Sequence, residues 1–189
     1  MEVAQQFTAD SRTSINWASG TSTEIFIHPA DGNFAERSFL FRISTATVEA
    51  EESRFTFFEG ITRHLMILKG ELELIHEGRY TKHLRPYDQD TFSGEWTTYS
   101  KGTVTDFNLM VKAGVEGSLA HQHVGVGMEA AFTATTDYYF LYVAAGKGML
   151  ENGSIATTGD LLWIHKGLPL NFHAQEPCDL IKIEVMTGS

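Results

Sequence analysis

Leu65-Met66-Ile67-Leu68-Lys69-Gly70 is an apolar run that stops at a glycine, then leads through a strand-like stretch to Gly78 and through another to Asp88 and Phe92. The same path returns about 75 residues downstream: Phe140-Leu141-Tyr142-Val143-Ala144-Ala145-Gly146, then Gly153, then Gly159-Asp160 and Ile164. A repeat of this length cannot bury its apolar face alone, so two copies predict two β units packed on each other. A single β-sandwich with coincidental glycines is the competing reading.

The flanking sequence has the same character. Glu24–His28, Ser38–Val48, His64–Leu68, Glu71–Ile75, Arg79–Leu84 and Val104–Val111 are short and rich in β-branched or aromatic residues, as are Tyr138–Val143, Gly148–Leu150, Leu161–His165 and Ile181–Val185. Seventeen glycines, many between these runs, supply turns. Helical periodicity is weak, and Met128–Thr133 is the one ambiguous stretch. In each half an apolar strand ends in Gly, a strand runs to a Gly turn, and a Gly-Asp or Pro-Tyr-Asp turn enters another apolar strand. This is similar to the central hairpins of a cupin. The resemblance implies an all-β bicupin, two cupin-like β-barrel or jelly-roll halves packed together in one compact chain. Its N-terminal half covers residues 1–115 and its C-terminal half 116–189.

Composition narrows the function. The net charge of −10 repels a phosphate backbone, and the basic residues form no stripe, so nucleic acid is not the expected partner. An acidic chain also disfavours anions near its surface, so an anion site must rely on local cations inside a pocket. No apolar run approaches the roughly 20 residues that span a bilayer, so no membrane role is expected. Cys178 is the single cysteine and no leader-like opening is evident, which reads as cytoplasmic.

Cupins that catalyse hold a divalent metal with His and Glu ligands. Seven residues before the turn glycine, where that family keeps its Glu, the first half has Arg63, and the later His slot falls on Trp96 or Thr97. The corresponding slots of the second half fall on Tyr139 and on Pro169 or Leu170. Neither half is expected to hold a metal, and no cofactor is expected. His121 and His123 project to one side of a strand and Glu129 follows, so these three form an alternative metal set. Their bland reading is a solvated His-rich strand. His28 and His76 read as strand-edge or surface histidines.

Three segments carry a more specific likeness. Trp17-Ala18-Ser19-Gly20 with Glu24-Ile25, Phe41-Arg42-Ile43-Ser44 with Ala46, and Asp106-Phe107-Asn108-Leu109-Met110 resemble motifs of the HutD/Ves family. Phe55, Phe58-Glu59-Gly60-Ile61, Arg63 and Phe92-Ser93-Gly94 match the runs between them. The likeness covers roughly Trp17 to Gly114 in order and spacing and fades beyond His121, and Thr23 replaces the basic residue usual before the Glu. It implies a small bacterial bicupin of histidine utilisation that binds a pathway intermediate such as N-formylglutamate and restrains flux rather than catalysing a step.

Strand alternation reaches a compatible pocket by itself. In 38–48, Phe39, Phe41 and Ile43 share one face and Arg42, Ser44 and Ala46 the other; in 104–111, Asp106, Asn108 and Met110 oppose Phe107, Leu109 and Val111. Arg63, flanked by apolar residues, must find a partner. It fits a carboxylate through its planar fork, or an internal salt bridge to Glu24, Glu59 or Asp106. Asn108 suits an amide or formyl group, or a nearby backbone turn. Trp17 reads equally as a barrel plug or a ligand contact, and Glu24 as a cap on the arginines.

The expected ligand site is therefore Arg42, Arg63, Asn108, Glu24, Trp17, Phe55 and Asp106, in a non-catalytic protein whose partner is a small carboxylate. A metal-dependent isomerase or dioxygenase using His121 and His123 is the alternative. A third reading is an interaction module or homodimer whose β faces serve a partner.

Overall fold

The computed structural model describes residues 3–17 and 19–188; Ala18, inside the Trp17–Gly20 motif, lies outside the described residues. Two compact units emerge, one spanning Arg12–Val115, the other combining the opening residues through Ser11 with Glu116–Ser189. Strand β1 (Ala4–Phe7) and a 3-10 turn at Ala9–Ser11 open the chain. The 12–115 unit then contains β2 (Ser14–Trp17), β3 (Gly20–His28), β4 (Phe41–Val48), β5 (Glu52–Arg54), β6 (Ile61–Gly70), β7 (Leu72–His76), β8 (Tyr80–Leu84), β9 (Gln89–Ser93), β10 (Thr98–Lys101) and β11 (Val104–Lys112). They form a six-stranded sheet ordered β2-β3-β4-β11-β6-β9 and a four-stranded sheet ordered β5-β10-β7-β8. Leu65 and Ile67 of the first sheet meet Leu72, Leu74 and Leu84 of the second, all fully buried. Each such side chain contributes about 1.5–3 kcal/mol of burial, which holds the sheets face to face.

The other unit continues with β12 (Glu116–Val124), β13 (Glu129–Thr133), β14 (Tyr138–Ala145), β15 (Lys147–Leu150), β16 (Ile155–Thr157), β17 (Leu161–Ile164), β18 (Pro169–Ala174) and β19 (Cys178–Met186). Its sheets run β1-β17-β14-β19-β12 and β13-β18-β15-β16. The run β4-β11-β6-β9 of the first unit thus has the counterpart β12-β19-β14-β17, and β5-β10-β7-β8 the counterpart β13-β18-β15-β16. The repeat read in the sequence is the hairpin set β6–β9 and its copy β14–β17. In both, the outer two strands pair in one sheet and the inner two in the other.

One glycine makes each crossing possible. Gly70 and Gly146 stand between the strands of different sheets at φ 85° and 92°. A Cβ at Gly70 would run into the Thr103 carbonyl, and one at Gly146 into the Pro177 carbonyl. A side chain is thus excluded there by strain and by space.

The stretch 128–133 settles as β13, whose burial alternates strictly with period two. The opening strand differs from the sequence expectation, which put all of 1–115 in one half. Ala4–Phe7 pair antiparallel with Ile164–Leu161 of β17. Asp160 fixes the arrangement, accepting hydrogen bonds from Ala9 N and Gln6 Nε2. No helix among the described residues is long and apolar enough to cross a membrane.

Candidate functional site

The polar residues of the six-stranded sheet stand in rows fixed by its register. Met110 on β11 lies opposite Arg42 of β4 on one side and Arg63 of β6 on the other. In the next row on this face, Asn108 lies between Ser44 and Leu65, and beyond it Asp106 lies between Ala46 and Ile67. These rows floor a cavity of about 150 Å3, whose walls include Trp17, Phe34, Phe55 and Phe58. Six of the seven expected site residues, Trp17, Arg42, Phe55, Arg63, Asp106 and Asn108, line it. Glu24 is outside the lining and reaches it through Arg42. Broader grooves of about 300 and 440 Å3 adjoin Arg54. No buried charged side chain lines them.

The two arginines are held differently. Arg42, 2% exposed, donates from Nε to Glu24 Oε2 at 2.7 Å and from Nη1 to Ser44 Oγ at 3.0 Å. Its guanidinium carbon lies 4.1 Å from the centroid of the Phe34 ring. A bulge between Glu24 and Phe26 offsets the β3 register, placing Glu24 opposite Ser44, diagonal to the arginine it binds. Burial pulls the Arg42 guanidinium below its usual range, and Glu24 works against that through its hydrogen bond and its charge.

Arg63 is 8% exposed, and its Nε has no hydrogen-bond partner. Aromatic faces replace an acid: the guanidinium carbon lies 4.7 Å from the Phe55 centroid and 5.5 Å from that of Phe92. Burial takes its pKa down to about 10, with Asp106 opposing the fall and Arg42 adding to it, so Arg63 stays charged at neutral pH. The internal salt bridge to Glu24, Glu59 or Asp106, the other reading of Arg63 in the sequence, is absent among the described residues. Asp106, 3% exposed, is pushed up to about 7 by burial, with Arg63 pulling the other way. Asp106 Oδ1 and Asn108 Oδ1 are also buried without partners. Three neighbouring side chains in one cavity thus keep an unmatched polar atom, each costing about 1–3 kcal/mol if nothing meets it.

The aromatic wall is clamped by Gly94. Phe58 N donates to Gly94 O at 2.8 Å and Gly94 N to Ile61 O at 2.7 Å. A Cβ at Gly94 would stand 2.7 Å from Phe58 O and 2.9 Å from Phe58 Cβ. Only a hydrogen atom fits, which gives the Phe92-Ser93-Gly94 run its physical reason. Sequence reasoning missed Phe34 and Arg54, since both lie in stretches without strand periodicity.

Two guanidinium groups make this a poor place for a divalent cation. In the second unit Tyr139 takes the position of Arg63, and Tyr139, Leu141, Val143 and Leu170 join a continuous apolar core. The alternative metal set is not gathered: His121 Nε2 and His123 Nδ1 both contact Asp179 Oδ1, at 2.9 and 3.0 Å, while Glu129 faces His173 at 3.6 Å. Among the described residues no three His, Cys, Asp or Glu side chains are placed to hold a metal ion. His76, expected at a strand edge or on the surface, is instead 2% exposed. It bridges Thr98 Oγ1 at 2.8 Å and Asp90 Oδ2 at 3.0 Å, and Tyr80 and Lys82 complete the shell of Asp90. Its burial follows from the inward face of β7, where His76 continues the series of Leu72 and Leu74.

Residues 9–181 match the HutD family. Over 76 residues, 38% of this chain and 40% of the relative, the sequence is 36% identical to an uncharacterised 21.2 kDa protein of the hutC 3′ region in Pseudomonas putida. Among solved structures, a conserved protein of unknown function from Pseudomonas aeruginosa PAO1 superposes with a TM-score of 0.83 at 22% identity, covering 97% of this chain and 98% of that one. HutD from Pseudomonas fluorescens SBW25, solved in a formate condition, gives 0.75 at 21% identity, covering 96% and 98%. A single-site mutant of the Bacillus subtilis oxalate decarboxylase OxdC, a bicupin, gives 0.71 at 7% identity, covering 94% and 76%. These likenesses give the fold, two cupin-like units of strands in one chain. The chain belongs to the HutD family.

Proposed function

We propose that this chain is a non-catalytic binding protein for a small carboxylate, and that it modulates histidine degradation in the cytoplasm by binding an intermediate such as N-formylglutamate. The observation that carries this reading is Arg63: a buried, charged guanidinium that faces the cavity with Nε unmatched and no acid bonded to it. A planar fork in that state complements a carboxylate, which can accept two parallel hydrogen bonds. Arg42 supplies a second cation, oriented by Glu24. Asn108 presents an amide to the neutral part of the ligand, and Trp17 and Phe55 enclose it. In a chain of net charge −10, such a local pair of cations is what an anion site requires. Ser44, a lining hydroxyl, is engaged by Arg42 rather than by a general base, which favours binding over chemistry.

Calorimetry with N-formylglutamate, glutamate and urocanate tests the reading. Binding in the micromolar to millimolar range is expected for N-formylglutamate, and Arg63→Ala should weaken it by about 2–5 kcal/mol through loss of a buried charge contact. No heat with any of the three, together with identical ligand-dependent melting shifts in wild type and Arg63→Ala, ends it.

A further inference from the structure

An acid is an unexpected neighbour for a bound anion, and the cavity contains one. Asp106 lies on β11 two rows from Met110, the residue that separates Arg42 from Arg63. Its side chain is buried, Oδ1 has no hydrogen-bond partner, and it forms no ion pair with Arg63 among the described residues. An ionised carboxylate left like this bears a large desolvation cost, whereas the neutral acid bears little and gains an O–H to donate.

The remaining charges around the cavity can be assigned. On β3 and β4, Glu24 and Arg42 cancel through their 2.7 Å bond. On β6, Arg63 is uncompensated. Arg54, at the end of β5, is exposed at the mouth, with its guanidinium carbon 5.9 Å from the centroid of the Tyr99 ring. On β9, Asp90 is paired with Lys82 of β8 at 3.1 Å and bonded to His76 of β7, and the Phe92 ring packs against both His76, at 4.7 Å, and Arg63. The interior therefore holds one net positive charge when Asp106 is neutral and none when Asp106 is ionised. Only the first state attracts a carboxylate.

We propose that ligand uptake here is proton-linked: the cavity takes its carboxylate together with one proton, which Asp106 holds as a neutral acid. This rests on the carboxylate reading of the site and adds to it a selection rule. The ligand class is an anion that also offers an acceptor to the Asp106 hydroxyl and a donor to the unmatched Asn108 oxygen, the pattern of an N-acylated amino acid rather than of a plain fatty acid. The two protonation states of Asp106 lie close enough near neutral pH for the linkage to be seen.

The test is calorimetry of the full chain with N-formylglutamate from about pH 6 to about pH 8.5, at each pH in buffers of different ionisation heat; both ligand carboxyls stay ionised throughout. Affinity should fall above about pH 7, approaching tenfold per pH unit, with close to one proton taken up per ligand near pH 8. Asp106→Asn should flatten the profile, abolish the uptake and bind more tightly than wild type at the alkaline end. If that variant does not fold, the buffer dependence of wild type decides alone. Binding that depends on Arg63 but shows no buffer dependence, or has the same pH slope in wild type and Asp106→Asn, overturns the linkage and leaves the carboxylate site standing. Binding indifferent to Arg63→Ala, or no binding, removes the carboxylate reading and the linkage with it.

Discussion

Glu24 Oε2 lies 2.7 Å from Arg42 Nε, and Arg63, across Met110 from Arg42 in the same row, has no equivalent acid. That single bond separates a compensated cation from an uncompensated one. The cavity thereby keeps a charge that no acid compensates, and the proposed carboxylate would offset what that charge costs in stability.

Replacing Arg63 by Met should stabilise the ligand-free protein. The substitution keeps an unbranched side chain between Phe55 and Phe92, and removes a buried cation whose Nε is unmatched. Exchanging buried charges for apolar residues of similar volume is often neutral or stabilising by about 1–4 kcal/mol. The two aromatic contacts offset part of this, so a gain of about 1–2 kcal/mol in urea unfolding is expected. A clear loss would mean that the guanidinium helps hold the fold.

Stability should respond to pH through Asp106. Its pKa is the ordinary 3.8 when unfolded and about 7 when folded, so the folded state binds more protons between those values. Stability from this group therefore falls as pH rises from about 4 to about 7 and is level beyond. Asn at this position is neutral in both states. The stability of Asp106→Asn relative to wild type should thus rise by roughly 3 kcal/mol between about pH 5 and about pH 8. Urea titrations of both proteins at the two pH values give this difference, and a constant gap would show that Asp106 is ionised throughout.

Gly94→Ala should damage the aromatic wall. The added methyl meets the Phe58 carbonyl oxygen at 2.7 Å, backbone that is itself hydrogen-bonded to Gly94. Accommodating it requires the Phe55–Ile61 segment to move, at a cost of about 1–3 kcal/mol. A lowered melting temperature and weaker ligand binding are both expected, because Phe55 and Phe58 line the cavity. Wild-type values for both would mean that the wall is not held here.

Much of this site was legible in the sequence because a strand leaves no freedom in which way alternate residues face. Once 38–48 and 104–111 read as strands, Arg42, Ser44 and Ala46 had to share a face, as did Asp106, Asn108 and Met110, and the register brings the two sets together. The glycine-punctuated repeat likewise exposed the β6–β9 and β14–β17 hairpins. What stayed hidden depends on contacts distant in sequence. Phe34 reaches Arg42 from a loop with no period, and His76 looked isolated because Asp90 and Thr98 come from other strands. Strand β1 is four residues, Ala4-Gln5-Gln6-Phe7, too short to show a period, so nothing local announces its partner β17.

That opening strand bears on how the protein is made. Gln6 leaves the ribosome before most of its own unit, and the aspartate it grips is 154 positions later. The 12–115 unit draws on a continuous stretch and can close as soon as it is synthesised, whereas the other must wait for its last strands and then recover its first. During that interval the free side of β17 is an open ladder of backbone donors and acceptors, the kind of edge on which nascent chains stick to one another.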